Sequence, residues 1–334
     1  MFHVMILSLV ISFGISALLG LWLIPVLRKL KYGQTILDVG PSWHKSKQGT
    51  PTMGGLMFIA GITASILCCM FFYVNQYKGD ISSDRLMNAR VFAGLVSSLL
   101  FGLIGFGDDF VKVSHKSNDG FTAKQKMVLQ FVVAFLYLWW LYAAGDRATN
   151  IFIPFFGSLE LGFLYFPLCA VGMVFIVNSV NLTDGLDGLD ASVTAVCALG
   201  FLLVSVYLKA YQNAILCCAV IGGMVAFLIY NAYPAKVFMG DTGSLFLGGM
   251  VIAMAFGVRL PIFLIFCGII YIVESLTVII QVWSIRKRGK KIFKMTPVHH
   301  HFEMSGYSER KIVAMFSSVT AIGAILAYFA VRLL

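Results

Sequence analysis

Ten apolar runs organise the chain, at roughly 4–26, 53–75, 88–107, 125–144, 163–180, 191–208, 214–230, 243–258, 261–283 and 312–333. Each is close to the ~20 residues that an α-helix needs to cross a bilayer. Short polar segments separate them. The pattern predicts an all-α integral membrane bundle of about ten transmembrane helices. One exception is residues 145–162, where Phe152, Ile153, Pro154, Gly157 and Leu159 predict a small β-hairpin.

Composition strengthens this reading. Of 334 residues, 59% are hydrophobic and 12% charged, against about 45–50% and about 25% in a soluble domain. One polytopic domain over 1–334 accounts for the chain, and no internal repeat or low-complexity tract is visible. All seven cysteines lie inside apolar runs without metal-ligand spacing, which reads as packing.

Charge sets the orientation. The first run lacks a basic segment before it, and Arg28, Lys29 and Lys31 follow it. It therefore reads as an anchor with its N-terminus outside rather than a cleaved signal. With both termini outside, the five inner segments carry 18 of the 25 Lys and Arg residues. The net charge of +10 is thus accounted for by the positive-inside rule, with no need of nucleic acid. The same loops hold ten of the fifteen acidic residues. Acids have no topological reason to gather there, so function is expected on the cytoplasmic face of the plasma membrane.

Between two apolar runs lies Asn178–Asp190, NSVNLTDGLDGLD, with Asn178, Asn181, Asp184, Asp187 and Asp190 three apart. An Asp at the bilayer centre costs roughly 2.5–3.5 kcal/mol. These acids must sit at the water boundary, line a polar cavity or face a cation. The plainer reading is a polar loop capping a helix, but such a loop needs one or two of these residues. Gly185 and Gly188 suit an opened helix end where backbone approaches a ligand.

Further segments carry candidate chemistry. In residues 33–55, Lys45 and Lys47 are either phosphate contacts or ordinary inner-loop charge, and Gly54–Gly55 would let two helices pack closely. The third run ends in FGDDF, where Asp108 and Asp109 oppose the dipole of a helix C-terminus, which suggests a metal or base role or else a solvated cap. Lys124 and Lys126 open the fourth run, reaching anionic groups or marking the boundary. In NAYPAKVFMGDTGS, residues 231–244, Phe238 is suited to stacking a base or to facing lipid, and Asp241 to a site or to a helix cap. Glu274 lies within the ninth run, by default a functional or interhelical pairing position, with Gln281 on a similar face. RKRGKK at 286–291 reads as a contact for anionic headgroups. His299, His300 and His301 follow in TPVHHHFE, as transition-metal ligands or, better, as donors to phosphates.

Oxygen-only ligands suit a hard cation. Magnesium takes few protein carboxylates and keeps positions for water and substrate phosphates. Acids, lysines, histidines and an aromatic at a membrane boundary point to phosphoryl chemistry between a soluble nucleotide and a lipid phosphate. No Walker loop or dinucleotide fingerprint is present.

GTPTMGG at 49–55, GDDF at 107–110, NLTDGLDGL at 181–189, FMGDTGS at 238–244 and PVHHHFE at 297–303 together resemble the phospho-N-acetylmuramoyl-pentapeptide-transferase family of polyprenyl-phosphate sugar-1-phosphate transferases. The resemblance covers nearly the whole chain. It implies ten transmembrane helices, a homodimer, and transfer of phospho-MurNAc-pentapeptide from UDP-MurNAc-pentapeptide to undecaprenyl phosphate with Mg²⁺, giving lipid I and UMP in peptidoglycan synthesis. It also implies that Asp241 holds magnesium with Asp108, and that Asp109 completes a catalytic acidic pair. Asn181, Asp184, Asp187 and Asn231 would line the nucleotide site, and Phe238 would stack on uracil. Lys47, Thr52, Lys124 and Gln281 would make further substrate contacts, and His299, His300 and His301 would hold the nucleotide-sugar. Leu37 and Trp43 depart from the family pattern, in the first loop alone. Two routes stay open: direct attack of the lipid phosphate on the β-phosphorus, or an aspartyl-phosphate on Asp108 or Asp241. The rivals are a transferase of N-acetylglucosamine-1-phosphate and, from another class, a transporter or flippase, which predicts inverted repeats.

Overall fold

A computed structural model describes residues 1–30, 47, 49–76, 81–115, 120–154 and 156–333. Lys45, Leu37, Trp43, Asp38 and the Gly40–Pro41 turn, with Lys116, Asn118 and Asp119, lie outside these described residues.

Ten helices among the described residues are long and apolar enough to cross a membrane. They are α1 (Phe2–Lys29), α2 (Gly55–Gln76), α3 (Ile81–His115), α4 (Ala123–Ala143), α5 (Tyr165–Thr183), α6 (Leu189–Tyr207), α7 (Tyr211–Asn231), α8 (Gly240–Gly257), α10 (Ile269–Arg288) and α12 (Glu309–Val331). Two short helices, α9 (Leu264–Cys267) and α11 (Val298–Glu303), interrupt the series. The hairpin is present between α4 and α5: β1 (Asn150–Ile153) pairs antiparallel with β2 (Gly157–Glu160), Ile151 opposite Leu159. It sits at the end of α4 remote from Lys126.

Two expected boundaries move. The third run was expected to end at FGDDF, but α3 continues to His115. Asp108 and Asp109 therefore lie about two turns inside the helix rather than at its dipole end. Lys112, one turn on, neutralises Asp108 at 2.6 Å and makes that continuation favourable. The ninth run was expected as one helix over 261–283. Pro261 opens a 3₁₀ turn instead, α9 stops at Gly268, and α10 starts at Ile269 and runs on to Arg288.

The centre of the bundle is α8, in which every residue from Thr242 to Gly257 is buried. It can be enclosed because small residues let backbones approach. A Cβ on Gly94 would lie 2.6 Å from that of Ala253, and one on Gly249 would lie 2.6 Å from Cα of Ser98. Farther along the same antiparallel seam, a Cβ on Gly105 would fall 2.1 Å from the carbonyl oxygen of Asp241. This seam brings the third-run acids to the N-terminus of α8. On the other flank, Ser8 donates to the carbonyl of Ile215 at 2.9 Å and Ser12 to that of Ala219 at 2.6 Å, tying α1 to α7.

Candidate active site

Asp108, Asp109 and Asp241 each offer an oxygen within a cluster no wider than 4.8 Å. The three are not equivalent. Asp109 is a cap supplied by another helix: Oδ1 accepts the Asp241 amide at 3.2 Å, and Oδ2 accepts the amide and hydroxyl of Thr242 at 2.9 and 2.7 Å. A carboxylate at a helix N-terminus satisfies free N–H groups and complements the dipole. Gly240, just before, has φ +72 and no room for a side chain, since a Cβ would lie 2.5 Å from Oδ2 of Asp109 and 2.8 Å from Oγ1 of Thr52. Thr52 is thereby placed at the same corner.

Asp108 and Asp241 turn their Oδ2 atoms toward two shared ammonium groups. Lys112 Nζ lies 2.6 Å from Asp108 and 2.9 Å from Asp241, and Lys126 Nζ lies 2.8 and 2.7 Å from the same pair. Oδ1 of Asp108 accepts the Phe121 amide at 2.6 Å. Asn181 donates to Oδ1 of Asp241 at 2.9 Å and to Ser244 at 2.7 Å. Three carboxylates against two lysines leave the cluster with an excess of negative charge. A hard divalent cation fits this all-oxygen donor set, with Asp108 and Asp241 as its holders, because the oxygens of Asp109 are spent on α8.

A second group surrounds the 184–190 turn. Lys47 bonds Asp187 Oδ1 and Glu309 Oε2, both at 2.7 Å, and Glu309 also accepts the Asp187 amide at 3.1 Å. Burial alone would lower the Lys47 pKa, but these two carboxylates hold it above its usual value. Asp187 Oδ2 accepts the Ala235 amide at 2.8 Å, and Asn231 bridges the Gly188 amide and the Val237 carbonyl at 3.0 and 2.9 Å. Asp184 lies between the two groups. Desolvation, then the negative charges of Asp190, Asp241, Asp109 and Asp187, push its carboxyl well above the usual range.

Phe238 is half-buried and tied by its backbone to the first loop, its amide to Pro51 and its carbonyl to Gly54, both at 2.8 Å. Lys124 is exposed and, two residues from Lys126, faces away from the acids.

The histidines come back to the bundle along α10. Glu274, Gln281 and Ser284, seven and three residues apart, share one helix face. Ser284 donates to the Lys290 carbonyl at 2.9 Å. Gln281 accepts the amides of Ile292 and Phe293 at 2.9 and 3.0 Å and donates to the Phe293 carbonyl. Glu274 meets His299 Nδ1 at 3.0 Å. His300 pairs with Glu303 at 2.7 Å, and His301 Nδ1 accepts the Lys294 amide at 3.2 Å. Gln281 thus holds backbone, while the His299 ring reaches the 184–190 turn at Gly185.

The glycosyl transferase family 4 model matches residues 91–259, and signature 1 of phospho-N-acetylmuramoyl-pentapeptide-transferase matches residues 47–59. A protein of that name from Clostridium perfringens (strain SM101 / Type A) is 43% identical over 97% of this chain and 95% of its own length. One from Halalkalibacterium halodurans is 44% identical over 98% and 97%, and one from Acetivibrio thermocellus 43% over 97% and 94%. The chain belongs to the phospho-N-acetylmuramoyl-pentapeptide-transferase family. The family signature falls on the segment that carries Lys47, Thr52 and the contact of Gly55 with Gly243 of α8.

Three residues of this family member's site were not assigned from sequence. Lys112 was legible as the i+4 partner of Asp108 once the helix is allowed to continue. Lys126 reads from sequence as either an anion contact or a span boundary, and the resemblance assigned only its neighbour Lys124. Glu309, at the start of α12, has no local signal, because its partners lie more than a hundred residues away.

Proposed function

We propose that the protein transfers phospho-MurNAc-pentapeptide from UDP-MurNAc-pentapeptide to undecaprenyl phosphate, releasing UMP and forming lipid I at the cytoplasmic membrane face. The observation that carries this reading is the convergence of Asp108, Asp241, Lys112 and Lys126 in a multi-pass membrane protein of this family. We further assign it a single polytopic domain, termini on the outer side, and assembly as a homodimer, in line with its charge distribution and family.

A phosphate oxygen of the lipid attacks the β-phosphorus of the nucleotide-sugar. The bond to the bridging oxygen breaks, and that oxygen leaves on UMP. The lipid monophosphate is largely ionised near neutral pH, so a strong general base is unnecessary. Lys112 and Lys126 supply positive charge to the diphosphate, where charge stabilisation is usually the largest contribution. Asp108 and Asp241, each held by two ammonium groups, are poor nucleophiles, which favours the direct route over an aspartyl-phosphate. Asp109 holds the N-terminus of α8 and so the position of Asp241. Magnesium bound by Asp241 and Asp108 would supply charge neutralisation of the diphosphate. Phe238 stacks on the uracil, Asn181, Asp184, Asp187 and Asn231 shape the nucleotide site, and Lys47, Thr52, Lys124, Gln281 and the histidines contact the rest of the substrate directly or through the loops they hold.

The test is UMP release by the detergent-solubilised protein, with no gradient present. Both UDP-MurNAc-pentapeptide and UDP-N-acetylglucosamine are offered, with and without Mg²⁺, to wild type and Asp241→Ala. Release from the muramoyl substrate alone is expected, with a loss of about several hundredfold on removing either the ion or Asp241. Absence of UMP release from UDP-MurNAc-pentapeptide overturns the reading.

A further inference from the structure

Glu274, which the reaction just described leaves unused, forms a buried pair with His299. Glu274 is 0% exposed in α10, and His299 is 1% exposed in α11. Only one atom of each is satisfied. Oε2 of Glu274 and Nε2 of His299 have no hydrogen-bond partner among the described residues. Leaving a buried polar atom unpaired costs about 1–3 kcal/mol, a cost that a fold retains where a ligand or a function repays it.

The direction of Nε2 is informative. A Cβ on Gly185 would lie 2.2 Å from Nε2 and 2.7 Å from Cε1 of His299. The ring edge therefore rests on the turn between Asp184 and Asp187. Gly185 is not among the positive-φ glycines, so the imidazole, and not the backbone, is what excludes a side chain there. The other two rungs of the α10 face, Gln281 and Ser284, already pin the returning loop at residues 290–293. The Glu274 rung is set apart by its unpaired atoms and by its reach to the carboxylate turn.

We propose that Glu274 is a positioning residue for His299. By engaging Nδ1 it fixes the ring plane and the tautomer, so that Nε2 is the nitrogen presented to the nucleotide-sugar at the 184–187 turn. A carboxylate on one imidazole nitrogen sets what the other can do, as the outer-shell partners of ligating histidines do. This deepens the transferase reading and rests on it.

The experiment uses the full chain in detergent with Glu274→Gln, His299→Gln and the double variant. Glu274→Gln keeps the side-chain shape, so it folds where an alanine would leave a hole. UMP release is measured while each substrate is varied in turn. For Glu274→Gln the expected result is a rise of about tenfold or more in KM for the nucleotide-sugar, the scale of outer-shell effects, with KM for the lipid phosphate unchanged. The double variant should be no worse than His299→Gln alone. Equal shifts in both KM values, or losses that multiply in the double variant, overturn the proposal. A readout without turnover accompanies it: ¹⁵N-histidine spectra, in which the resonance lost in His299→Gln should change tautomer in Glu274→Gln. An unmoved resonance also overturns the proposal. Wild-type turnover tests the transferase reading separately, since its failure leaves the spectra to decide the geometry.

Discussion

Thr242 gives Asp109 both its amide and its hydroxyl, at 2.9 and 2.7 Å from the same oxygen. One carboxylate on α3 thus clamps the first turn of α8. Thr242→Val keeps the shape and removes the hydroxyl bond. It should lower stability by about 1.5–3 kcal/mol, the range for a hydrogen bond to a charged group, read as an earlier thermal unfolding midpoint in detergent. Asp109→Asn should lose more, since two bonds from N–H donors then depend on one amide oxygen.

Three lysines near the site should separate by geometry. Lys112→Ala and Lys126→Ala each strip a cation shared by Asp108 and Asp241. Each should cut kcat for UMP release by about a hundredfold or more, the scale for losing one preorganised charge partner. Lys124 is exposed, and Lys124→Ala should act mainly on KM. Initial rates across both substrate concentrations check the ordering.

Gly105→Ala adds one methyl against the carbonyl oxygen of Asp241, 2.1 Å from the ideal Cβ position. Backbone has to give way there. Overpacking of this kind costs about 1–3 kcal/mol, and the displacement falls on a reacting carboxylate. Activity should therefore drop far more than the unfolding midpoint. Gly14→Ala, where a Cβ meets nothing within 4 Å, is the control and should leave both unchanged.

The raised pKa of Asp184 makes substrate-free stability depend on pH. Its carboxyl holds a proton in the folded protein at pH values where the unfolded chain, near pKa ~3.9, has lost it. This contribution is complete below the unfolded pKa and is lost as pH rises through the folded one. Asp184→Asn removes the dependence. The variant should match wild type near pH 4 and unfold at a higher temperature as pH rises, in melting curves recorded without substrate.

The ten spans were legible because an apolar run of bilayer length has few alternatives, and the hairpin because Pro154 and Gly157 punctuate it. The end of α3 was not, since the hydropathy drop at Asp108 coincides with no break in backbone hydrogen bonding. Only the partnership with Lys112 shows that the helix can run on. The ninth span was read through because Pro261 and Gly268 lie inside an unbroken apolar run. At the site, motif spacing led to Asp108, Asp109, Asn181 and Asp241. It could not show that Asp109 caps α8, that Asn231 and Gln281 hold backbone, or that Lys47 is shared by Asp187 and Glu309. Those facts depend on tertiary contacts, 11 to 12 residues away for Gln281 and more than a hundred for Asp109 and Lys47, and no local pattern encodes them.

The enclosure of α8 from Thr242 to Gly257 has a genetic corollary. In a random library screened for lost transferase function, inactivating alleles would gather along that whole helix, including Gly249, about 12 Å up the axis from Asp241. Silent changes would collect instead on α1, whose Leu18, Leu21 and Trp22 are exposed. A geneticist plotting those alleles without coordinates would draw the catalytic centre as a rod through the bilayer, although the chemistry occupies only its tip.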